Sequence, residues 1–329
     1  MNKPIIAITM GDPAGIGPEL VVKLLSNPQT FALCSPFVVG DVGVMEENTR
    51  RLGADLRFRP ITQVAEARFS PPVVDVLCPA GVHVQMIPWA TVDAGMGKAA
   101  TLCLHEAVML GARGEVQGVV SAPLNKQAFH LAGYDYFDEV AFLADVTHSP
   151  DAYILGITDY FWAVSVTEHV PFASIAGLIK RERVLRRIRS LDDCLRRAGY
   201  QRPRVAVAAL NVHGGEGGLF GREEIDEIEP AIDQAKQEGI DARGPIPADT
   251  VFVRAREGEF DGVVCMYHDQ ATTGRKLVAT RRGASMYMGL PVIVGTTAHG
   301  TAFDKAGKGI AETGSIEAAL QNTVLLAAR

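Results

Sequence analysis

Short apolar runs rich in β-branched residues alternate with amphipathic stretches along almost the whole chain. Runs of about four to eight such residues are typical of buried strands. The runs that fit this description are PIIAITM, PFVVGDV, VVDVLC, VQGVVSAP, AYILGI, WAVSVTE, RVAVAAL and DGVVCMYH. The pattern therefore predicts a strand at each of them.

Helical periodicity fills the intervals between these runs. Apolar residues recur every three or four positions in PELVVKLL, KAATLCLHEAVMLGARG, RERVLRRIRSLDDCLRRAG and REEIDEIEPAIDQAKQEG. Strands that alternate with helices predict an α/β fold in which helices cover a parallel sheet. Ligands of such sheets collect beyond the carboxyl ends of the strands. The residues that follow each apolar run are therefore the candidates for function.

Two segments indicate where the chain passes between two domains. They are SAPLNKQAF, residues 121–129, and GLPVIVGTTAHG, residues 289–300. The prediction is a first α/β domain built from residues 1–127 and 297–329. A second α/β domain, residues 128–296, is inserted between these parts.

Composition and charge narrow the classes of function. The chain has 329 residues, of which 47% are hydrophobic, and a formal net charge of −6. Scattered cations in an acidic chain argue against nucleic acid as the main partner, because counterion-driven binding needs a basic face. The cysteines show no C-x-x-C spacing, and no apolar run approaches the ~18 residues of a membrane span. We expect a soluble, reduced, cytoplasmic protein.

The stretch MGDPAGIGPE, from Met10 to Glu19, follows the first predicted strand. Its glycines, with Pro18 at a first helical position, are typical of a turn that presents backbone N–H groups to an anion. The spacing does not fit G-x-G-x-x-G, so the Rossmann fingerprint is absent from this stretch. A tight strand-to-helix turn explains the glycines equally well, and both interpretations stay open here.

Three histidines follow apolar strand runs: His169 in VTEHVPF, His213 in LNVHGGEGG and His268 in MYHDQ. A single histidine at a strand end is usually a cap or a packed ring. Parallel strands, however, deliver their ends to one edge of a sheet, and three imidazoles there suit a divalent transition ion with an open position for substrate. Asp249 and Asp269 are candidates for further ligands or for partners of the ligands.

The stretch AHGTAFDKAGKGIAE, from Ala298 to Glu312, resembles the adenosine-binding loop of isocitrate and isopropylmalate dehydrogenases, which bind NAD without a Rossmann fingerprint. An acid after the H-G turn suits a free ribose diol better than a 2′-phosphate. A glycine-rich surface loop is the alternative, and the length of the match favours a cofactor loop. The candidate NAD-binding residues are Gly11, Asp12, His299, Gly300, Thr301, Ala302, Asp304 and Gly307.

Taken together, these stretches resemble one family along almost the whole chain, the metal- and NAD-dependent 4-phosphohydroxythreonine dehydrogenases of pyridoxal phosphate synthesis. The motifs that carry the resemblance stand in the family's order: MGDPAGIGPE, SAPLNK, LNVHGGEGG, GPIPADT, HDQ, GLP and HGTAFDKAGKG. It implies a two-domain α/β/α fold of the isocitrate and isopropylmalate dehydrogenase type, with the active site in the interdomain cleft. It also implies a homodimer with that site at the subunit interface, where His169 of one chain would share an ion with His213 and His268 of the other.

The resemblance also implies a chemistry. A divalent ion holds a secondary alcohol and lowers its pKa, a hydride passes to NAD, and the resulting ketone β to a carboxylate loses carbon dioxide. Lys276 falls on a lysine that the family uses at the substrate, and Lys126 and Asp249 are further catalytic candidates. Zinc, manganese, cobalt and magnesium are all conceivable ions, and three imidazoles favour zinc over magnesium.

The chain departs from the family's pattern at substrate-facing motifs. Glu139 and Val140 replace a His-Thr pair, Ser285 replaces an asparagine, Val294 replaces an arginine, and Ala298 replaces an acid. With Lys276, the first four of these positions are the candidate substrate-binding residues. An anionic side chain within a few ångströms of a phosphate would repel it by on the order of 1–4 kcal/mol.

These departures lead us to expect an unphosphorylated substrate, such as a cis-dihydrodiol carboxylate of the terephthalate dihydrodiol type. The alternative is 4-phosphohydroxythreonine itself, with Arg275, Arg281 or Arg282 rebuilding the phosphate contacts. Two non-redox alternatives also stay open. They are a metallohydrolase that uses the histidine-bound ion without NAD, and an acyl- or phosphotransferase on a related fold.

Overall fold

The computed structural model describes residues 3–278 and 283–327. Its strands, in chain order, are β1 (Ile5–Thr9), β2 (Ser35–Val39), β3 (Arg57–Ile61), β4 (Val73–Leu77), β5 (Gly118–Ser121), β6 (Tyr153–Ile157), β7 (Trp162–Thr167), β8 (Arg204–Ala208), β9 (Asp241–Ile246), β10 (Gly262–Tyr267), β11 (Ala284–Met288) and β12 (Ile293–Thr297).

Every apolar run that predicted a strand forms one, so the α/β assignment is confirmed. The pattern missed β3, β9, β11 and β12. Strand β3 reads RFRPI and β9 reads DARGPI, and both carry charged residues and a proline, which weaken the strand signal. Strand β12 lies inside the segment that was interpreted as a crossing between domains.

The helices are α1 (Gly17–Ser26), α2 (Pro28–Leu33), α3 (Val42–Leu52), α4 (Ala94–Ala112), α5 (Lys126–Leu131), α6 (Glu139–Val146), α7 (Ile175–Leu178), α8 (Arg181–Arg197), α9 (Glu229–Gln237), α10 (Ala248–Arg256), α11 (His268–Val278) and α12 (Gly314–Ala327). The four periodic stretches correspond to α1, α4, α8 and α9. No helix within residues 3–278 or 283–327 is long and apolar enough to cross a membrane.

The chain divides into two compact units. The first contains Met1–Ala152 and Ala284–Arg329, and the second contains Tyr153–Gly283. These bounds differ from the predicted ones, because residues 128–152 and 284–296 fall in the first unit. Packing on α4 explains part of the difference, since the ring of Phe142 lies 6.2 Å from that of His105 and a Cβ atom on Gly97 would overlap with the Ala128 carbonyl oxygen.

In the first unit the strand order is β3-β4-β2-β1-β5-β12-β11. All neighbours are parallel except β11, which pairs antiparallel with β12. Helix α12 packs closely on β5 and β12 through two glycines. A Cβ atom on Gly118 would lie 2.5 Å from Thr323 Cγ2, and one on Gly295 would lie 2.8 Å from the Ala319 carbonyl oxygen. These glycines allow the helix to approach the strands whose ends carry the candidate loops.

In the second unit the strand order is β6-β7-β10-β8-β9. Strands β7, β10, β8 and β9 are parallel, and β6 pairs antiparallel with β7. Part of its core is an apolar cluster between the sheet and the helices α10 and α11, including Phe161, Phe260 and Cys265. The parallel register brings the carboxyl ends of β7, β10 and β8 to one edge of this sheet.

Candidate active site

His169 and His268 meet at the ends of the neighbouring strands β7 and β10. Thr167 and Tyr267 are partners in the parallel register, and the Thr167 hydroxyl donates to the Met266 carbonyl at 2.8 Å. The two histidines follow this junction directly. Their ring centroids lie 5.0 Å apart with the planes tilted by 42°. The structure therefore brings together two of the three predicted metal ligands within a single chain.

The His268 ring is oriented by its neighbours on α11. Its Nδ1 lies 2.7 Å from Oδ1 of Asp269, and its Nε2 lies 3.4 Å from the Thr272 hydroxyl. A histidine that ligates a metal commonly donates its other ring N–H to a carboxylate, which fixes the tautomer. Asp269 is thus placed to hold the Nδ1 proton and leave Nε2 as the ligand atom.

Gln270 fixes the beginning of α11 and was missed from the sequence. Its side chain is buried, donates to the Ala209 carbonyl at 2.8 Å, and accepts from the Met266 backbone N–H at 2.7 Å. These bonds join the ends of β8 and β10 to the helix that carries His268. The only sequence signal was a polar residue directly after the His-Asp pair.

His213 lies in a turn of unusual backbone conformation after β8. Residues 213–217 all have positive φ, including the non-glycine residues His213 at 51° and Glu216 at 44°. Such conformations are costly and are often found at functional sites. Buried Glu224 anchors the turn by accepting from the backbone N–H groups of Leu210 and Asn211, each at 2.8 Å. The imidazole of His213 is exposed, and its Nδ1 lies 3.4 Å from Glu216 Oε1.

Within residues 3–278 and 283–327 of one chain, no three His, Cys, Asp or Glu side chains form a group that could hold a metal ion. The resemblance assigned His169 to one subunit and His268 to the other, whereas here the two rings are neighbours in the same chain. The chemistry of the pair still fits a divalent ion, since both are imidazoles and His268 has an orienting carboxylate.

Two other predicted residues of this unit, Asp249 and Lys276, are exposed. Asp249 lies in the first turn of α10 and, with Asp269, borders a groove between α10 and α11. Lys276 follows His268 by eight helical residues, which places it about 12 Å along the axis of α11. Arg275 is largely enclosed, whereas Arg281 and Arg282 lie outside the described residues.

In the first unit, three loops meet beyond the ends of the neighbouring strands β1, β5 and β12. The backbone N–H of Asp12 donates to the Pro123 carbonyl at 2.9 Å, and that of Ile16 donates to the Thr301 carbonyl at 3.1 Å. The Asn125 side-chain amide lies 3.3 Å from the Thr301 hydroxyl. The glycine loop after β1 and the predicted adenosine loop after β12 therefore form one structure with the loop that precedes Lys126.

Asp12 supports the glycine loop from inside the protein. Its side chain has no exposed surface, and a contact of this residue with the cofactor stays a prediction. Oδ1 accepts from the Ala14 N–H at 2.9 Å, while buried Oδ2 has no hydrogen-bond partner among the described residues. Burial raises the pKa of Asp12 to about 6; the Ala14 N–H opposes this change, and the charge of Asp93 adds to it.

Gly11 precedes Asp12 in the glycine loop, and the other predicted cofactor residues lie in a loop of consecutive turns, where Thr301 is buried. His299, Gly300 and Asp304 are exposed, as contact with an adenosine requires, and Ala302 and Gly307 have positive φ. Buried Glu19 on α1 closes the loop, because its carboxylate accepts from the backbone N–H groups of residues 309 and 311 at 3.2 and 2.7 Å. The sequence pattern did not identify this anchor.

The predicted substrate-binding positions of the first unit differ in accessibility. Val294 is fully buried in β12 and Val140 is 8% exposed, so both side chains belong to the core of this unit. Glu139 lies at the beginning of α6, with the Tyr287 hydroxyl 3.4 Å from Oε2. Burial raises the pKa of the Glu139 carboxyl, and the charge of Lys126 opposes this change. Ser285 is partly exposed on β11.

The chain was compared with known proteins. The family model of the pyridoxal phosphate biosynthetic protein PdxA matches residues 32–323. D-threonate 4-phosphate dehydrogenase of Salmonella typhimurium is 40% identical over 99% of this chain and 100% of its own length. 4-Hydroxythreonine-4-phosphate dehydrogenase of Desulforapulum autotrophicum is 36% identical over 99% and 96%. The crystal structure of 4-hydroxythreonine-4-phosphate dehydrogenase from Klebsiella pneumoniae superposes with a TM-score of 0.84, at 37% identity over 99% of this chain and 98% of that one.

These similarities overturn the expectation of an unphosphorylated cis-dihydrodiol carboxylate as substrate. The terephthalate 1,2-cis-dihydrodiol dehydrogenase structure from Burkholderia xenovorans is 28% identical, with a TM-score of 0.71, over 98% of each chain. The relatives named for 4-phosphorylated substrates are more similar in both sequence and structure. The expectation failed because it interpreted Val140 and Val294 as lost substrate contacts, whereas both side chains are part of the core.

We expect Asp269→Asn to lower the affinity of the chain for a divalent ion roughly tenfold to a hundredfold, because the carboxylate no longer orients His268. Isothermal titration with Zn²⁺ measures the affinity. Asp233→Asn, which changes an exposed aspartate paired with Lys236, serves as the control and should bind as the wild type does. Equal affinities for wild type and Asp269→Asn would show that the carboxylate does not act on the ligand.

We expect Asp12→Asn to be more stable than the wild type at about pH 8, by on the order of 3 kcal/mol, and similar at about pH 4. The pKa of Asp12 is about 6 in the folded chain and 3.8 ordinarily, so folding favours the protonated acid. The free energy of unfolding of the wild type therefore falls as the pH rises from about 4 through about 6, whereas asparagine does not titrate. Urea unfolding at both pH values measures the difference. The exposed Asp55→Asn variant should show no such dependence, and a pH-independent effect of Asp12→Asn would contradict the argument.

Proposed function

This chain belongs to the PdxA family and is an NAD-dependent dehydrogenase, and from that premise we propose that it oxidises a four-carbon hydroxy acid bearing a 4-phosphate. The observation that carries the proposal is the pair His169–His268, with Nδ1 of His268 held by Asp269 at 2.7 Å. An oriented imidazole pair at adjacent strand ends suits a divalent ion that binds an alcohol oxygen.

The reaction proposed is oxidation of a secondary alcohol β to a carboxylate, followed by decarboxylation. When bound, NAD accepts the hydride, and the divalent ion, for which we propose zinc, polarises the oxygen. The donor set of His169, His213 and His268 supports zinc over magnesium, because imidazole suits zinc and magnesium prefers oxygen ligands.

The chain's own residues are assigned as follows. Lys276 and Lys126 are the candidates for moving a proton at the substrate hydroxyl and at the carbon that loses carbon dioxide. Asp249, exposed at the beginning of α10, is the candidate for orienting a lysine or the ion. The loop from His299 to Gly307 is the candidate for the adenosine. Its exposed acid Asp304 favours a ribose diol and would repel a 2′-phosphate, so NAD is preferred over NADP.

The substrate proposed is 4-hydroxythreonine 4-phosphate, which carries an amino group on C2. A second candidate is D-threonate 4-phosphate, which carries a hydroxyl there. It is favoured by the 40% identity to the dehydrogenase of Salmonella typhimurium that is named for it. Both have the alcohol at C3, β to the carboxylate, so the same residues serve either substrate.

The test is an NADH-coupled assay of the zinc-loaded enzyme on both phosphorylated acids and on unphosphorylated 4-hydroxythreonine. We expect NADH with the first substrate, and a kcat/KM at least roughly thirtyfold lower without the phosphate, because a charged contact of about 2 kcal/mol or more is lost. A higher kcat/KM on D-threonate 4-phosphate would select the second candidate. No NADH from either phosphorylated acid would refute the proposal.

We also propose that the active protein is a homodimer whose metal site draws ligands from two chains. The pair His169–His268 comes from one chain, and His213 comes from the partner. Exposed apolar side chains lie beside the candidate ligands, with Leu219 75% and Phe172 78% exposed, and Leu277 82% exposed on α11. Large apolar side chains that are exposed near a candidate site are often covered by a partner. His213 and Leu219 are both exposed in the segment after β8. This segment is therefore the part of the chain that we propose to contact the partner subunit and to supply His213 to its metal site.

Mixed dimers test which chain supplies each ligand. Co-expression of His169→Ala and His213→Ala chains with different tags should restore about half of the wild-type specific activity, since one of the two sites regains all ligands. A mixture of His169→Ala and His268→Ala should stay inactive, because each site then lacks one member of the pair. Activity in the second mixture would place the pair in different chains, and inactivity of both mixtures would argue against sharing.

A further inference from the structure

Arg275 lies on the same face of α11 as His268. Seven helical residues amount to nearly two full turns, so the two side chains are offset by only about 20° around the axis and by about 10 Å along it. Thr272, which lies 3.4 Å from His268 Nε2, occupies the turn between them. The face of α11 that carries the candidate ligand is therefore continued by a guanidinium.

The Arg275 side chain crosses β6 at Gly156. A Cβ atom on Gly156 would lie 2.5 Å from Cζ and 2.6 Å from Cδ of Arg275, so only glycine leaves room for this path. Burial lowers the pKa of Arg275. A cation in such surroundings needs a compensating charge, because an unpaired buried ion is strongly destabilising.

Glu168 supplies that charge. Its carboxylate opposes the effect of burial on the pKa of Arg275, and the two side chains act with opposite sign on the pKa of buried Cys265 on β10. The charges of Glu168 and Arg275 therefore act on each other and on Cys265, whose strand β10 leads into His268. Glu168 directly precedes His169 in the chain, so whatever fixes Glu168 also fixes the backbone that carries His169.

We propose that Arg275, packed on Gly156 and facing Glu168, is a positioning residue that holds the His169 segment against helix α11 and sets the separation of His169 and His268. This inference rests on the proposed function, because it takes the histidine pair as a metal site. It also assigns a different role to an arginine that the sequence left as a candidate phosphate contact. The guanidinium of Arg275 is engaged within the second unit.

Three substitutions probe this role in the full-length chain. Arg275→Met removes the charge and keeps much of the length of the side chain. Arg275→Lys keeps the charge but loses the planar group that spans Gly156 and Glu168. Gly156→Ala keeps the arginine at position 275 but displaces its side chain, because the added methyl group would overlap with it. Arg189→Met is the matched control, since Arg189, in the middle of α8, forms an exposed ion pair with Glu238 at the end of α9.

The measurement is Co²⁺ affinity, followed by the absorption bands of the bound ion, together with NAD affinity and thermal unfolding of the metal-free chain. We expect Arg275→Met and Gly156→Ala to lower Co²⁺ affinity roughly tenfold to a hundredfold, as loss of an outer positioning group commonly does. Arg275→Lys should give an intermediate loss. NAD affinity should stay within about twofold, because the candidate cofactor loops belong to the other unit. Arg189→Met should match the wild type in every measurement.

Two results would overturn the inference. One is a Co²⁺ affinity of Arg275→Met that lies within about twofold of the wild-type value. If Arg275→Met does not fold, the same result for Arg275→Lys would overturn the inference. The other is a parallel loss of Co²⁺ affinity, NAD affinity and melting temperature, which indicates a general structural role. Failure of the proposed function looks different, since the wild type would then bind Co²⁺ no better than His268→Ala does. That result would reject the metal site itself.

Discussion

The parallel pairing of β7 with β10 is the constraint on which the candidate metal site depends. Because Thr167 and Tyr267 are register partners in parallel strands, both strands end at the same level of the sheet, and the residues that follow them begin side by side. The hydrogen bond from the Thr167 hydroxyl to the Met266 carbonyl closes this junction at 2.8 Å. His169 and His268 are then neighbours with no local sequence motif joining them. The same rule places the loops after β1, β5 and β12 together in the first unit.

Buried polar side chains convert these strand ends into defined loops. Gln270 and Glu224 hold backbone groups of the second unit, and Glu19 does so in the first. Each of these side chains forms hydrogen bonds with backbone N–H or C=O groups. A backbone group that is buried without a partner would destabilise the fold by about 1–3 kcal/mol. They touch no candidate ligand, yet they decide where His268, His213 and the 299–309 loop lie. In this chain the supporting residues are more enclosed than the residues they support.

The sequence predicted those parts of the fold that have a local signal. Apolar β-branched runs identified the buried strands, and their ends identified the three histidines. Strands β3 and β9 escaped because charged residues and proline obscure the strand pattern, and their pairing is set by neighbours far along the chain. The sequence pattern also did not identify Glu19, Gln270 and Glu224 as supporting residues. Each binds backbone groups that come near it only in the folded chain. Asp12 was assigned to the cofactor because its loop was identified, but the direction of its side chain depends on tertiary structure.

Residue type alone misled the prediction of the substrate. A valine in place of a polar residue was interpreted as a lost contact, although Val294 and Val140 are core residues in this fold. Glu139 was treated as a fixed negative charge that repels phosphate. The structure changes that argument, because burial raises the pKa of the carboxyl and the cation of Lys126 acts on it as well. A carboxyl that has a tyrosine hydroxyl at 3.4 Å and the cation of a lysine acting on it repels a phosphate less than an isolated carboxylate does. Glu139 is therefore compatible with the phosphorylated substrates after which the relatives are named.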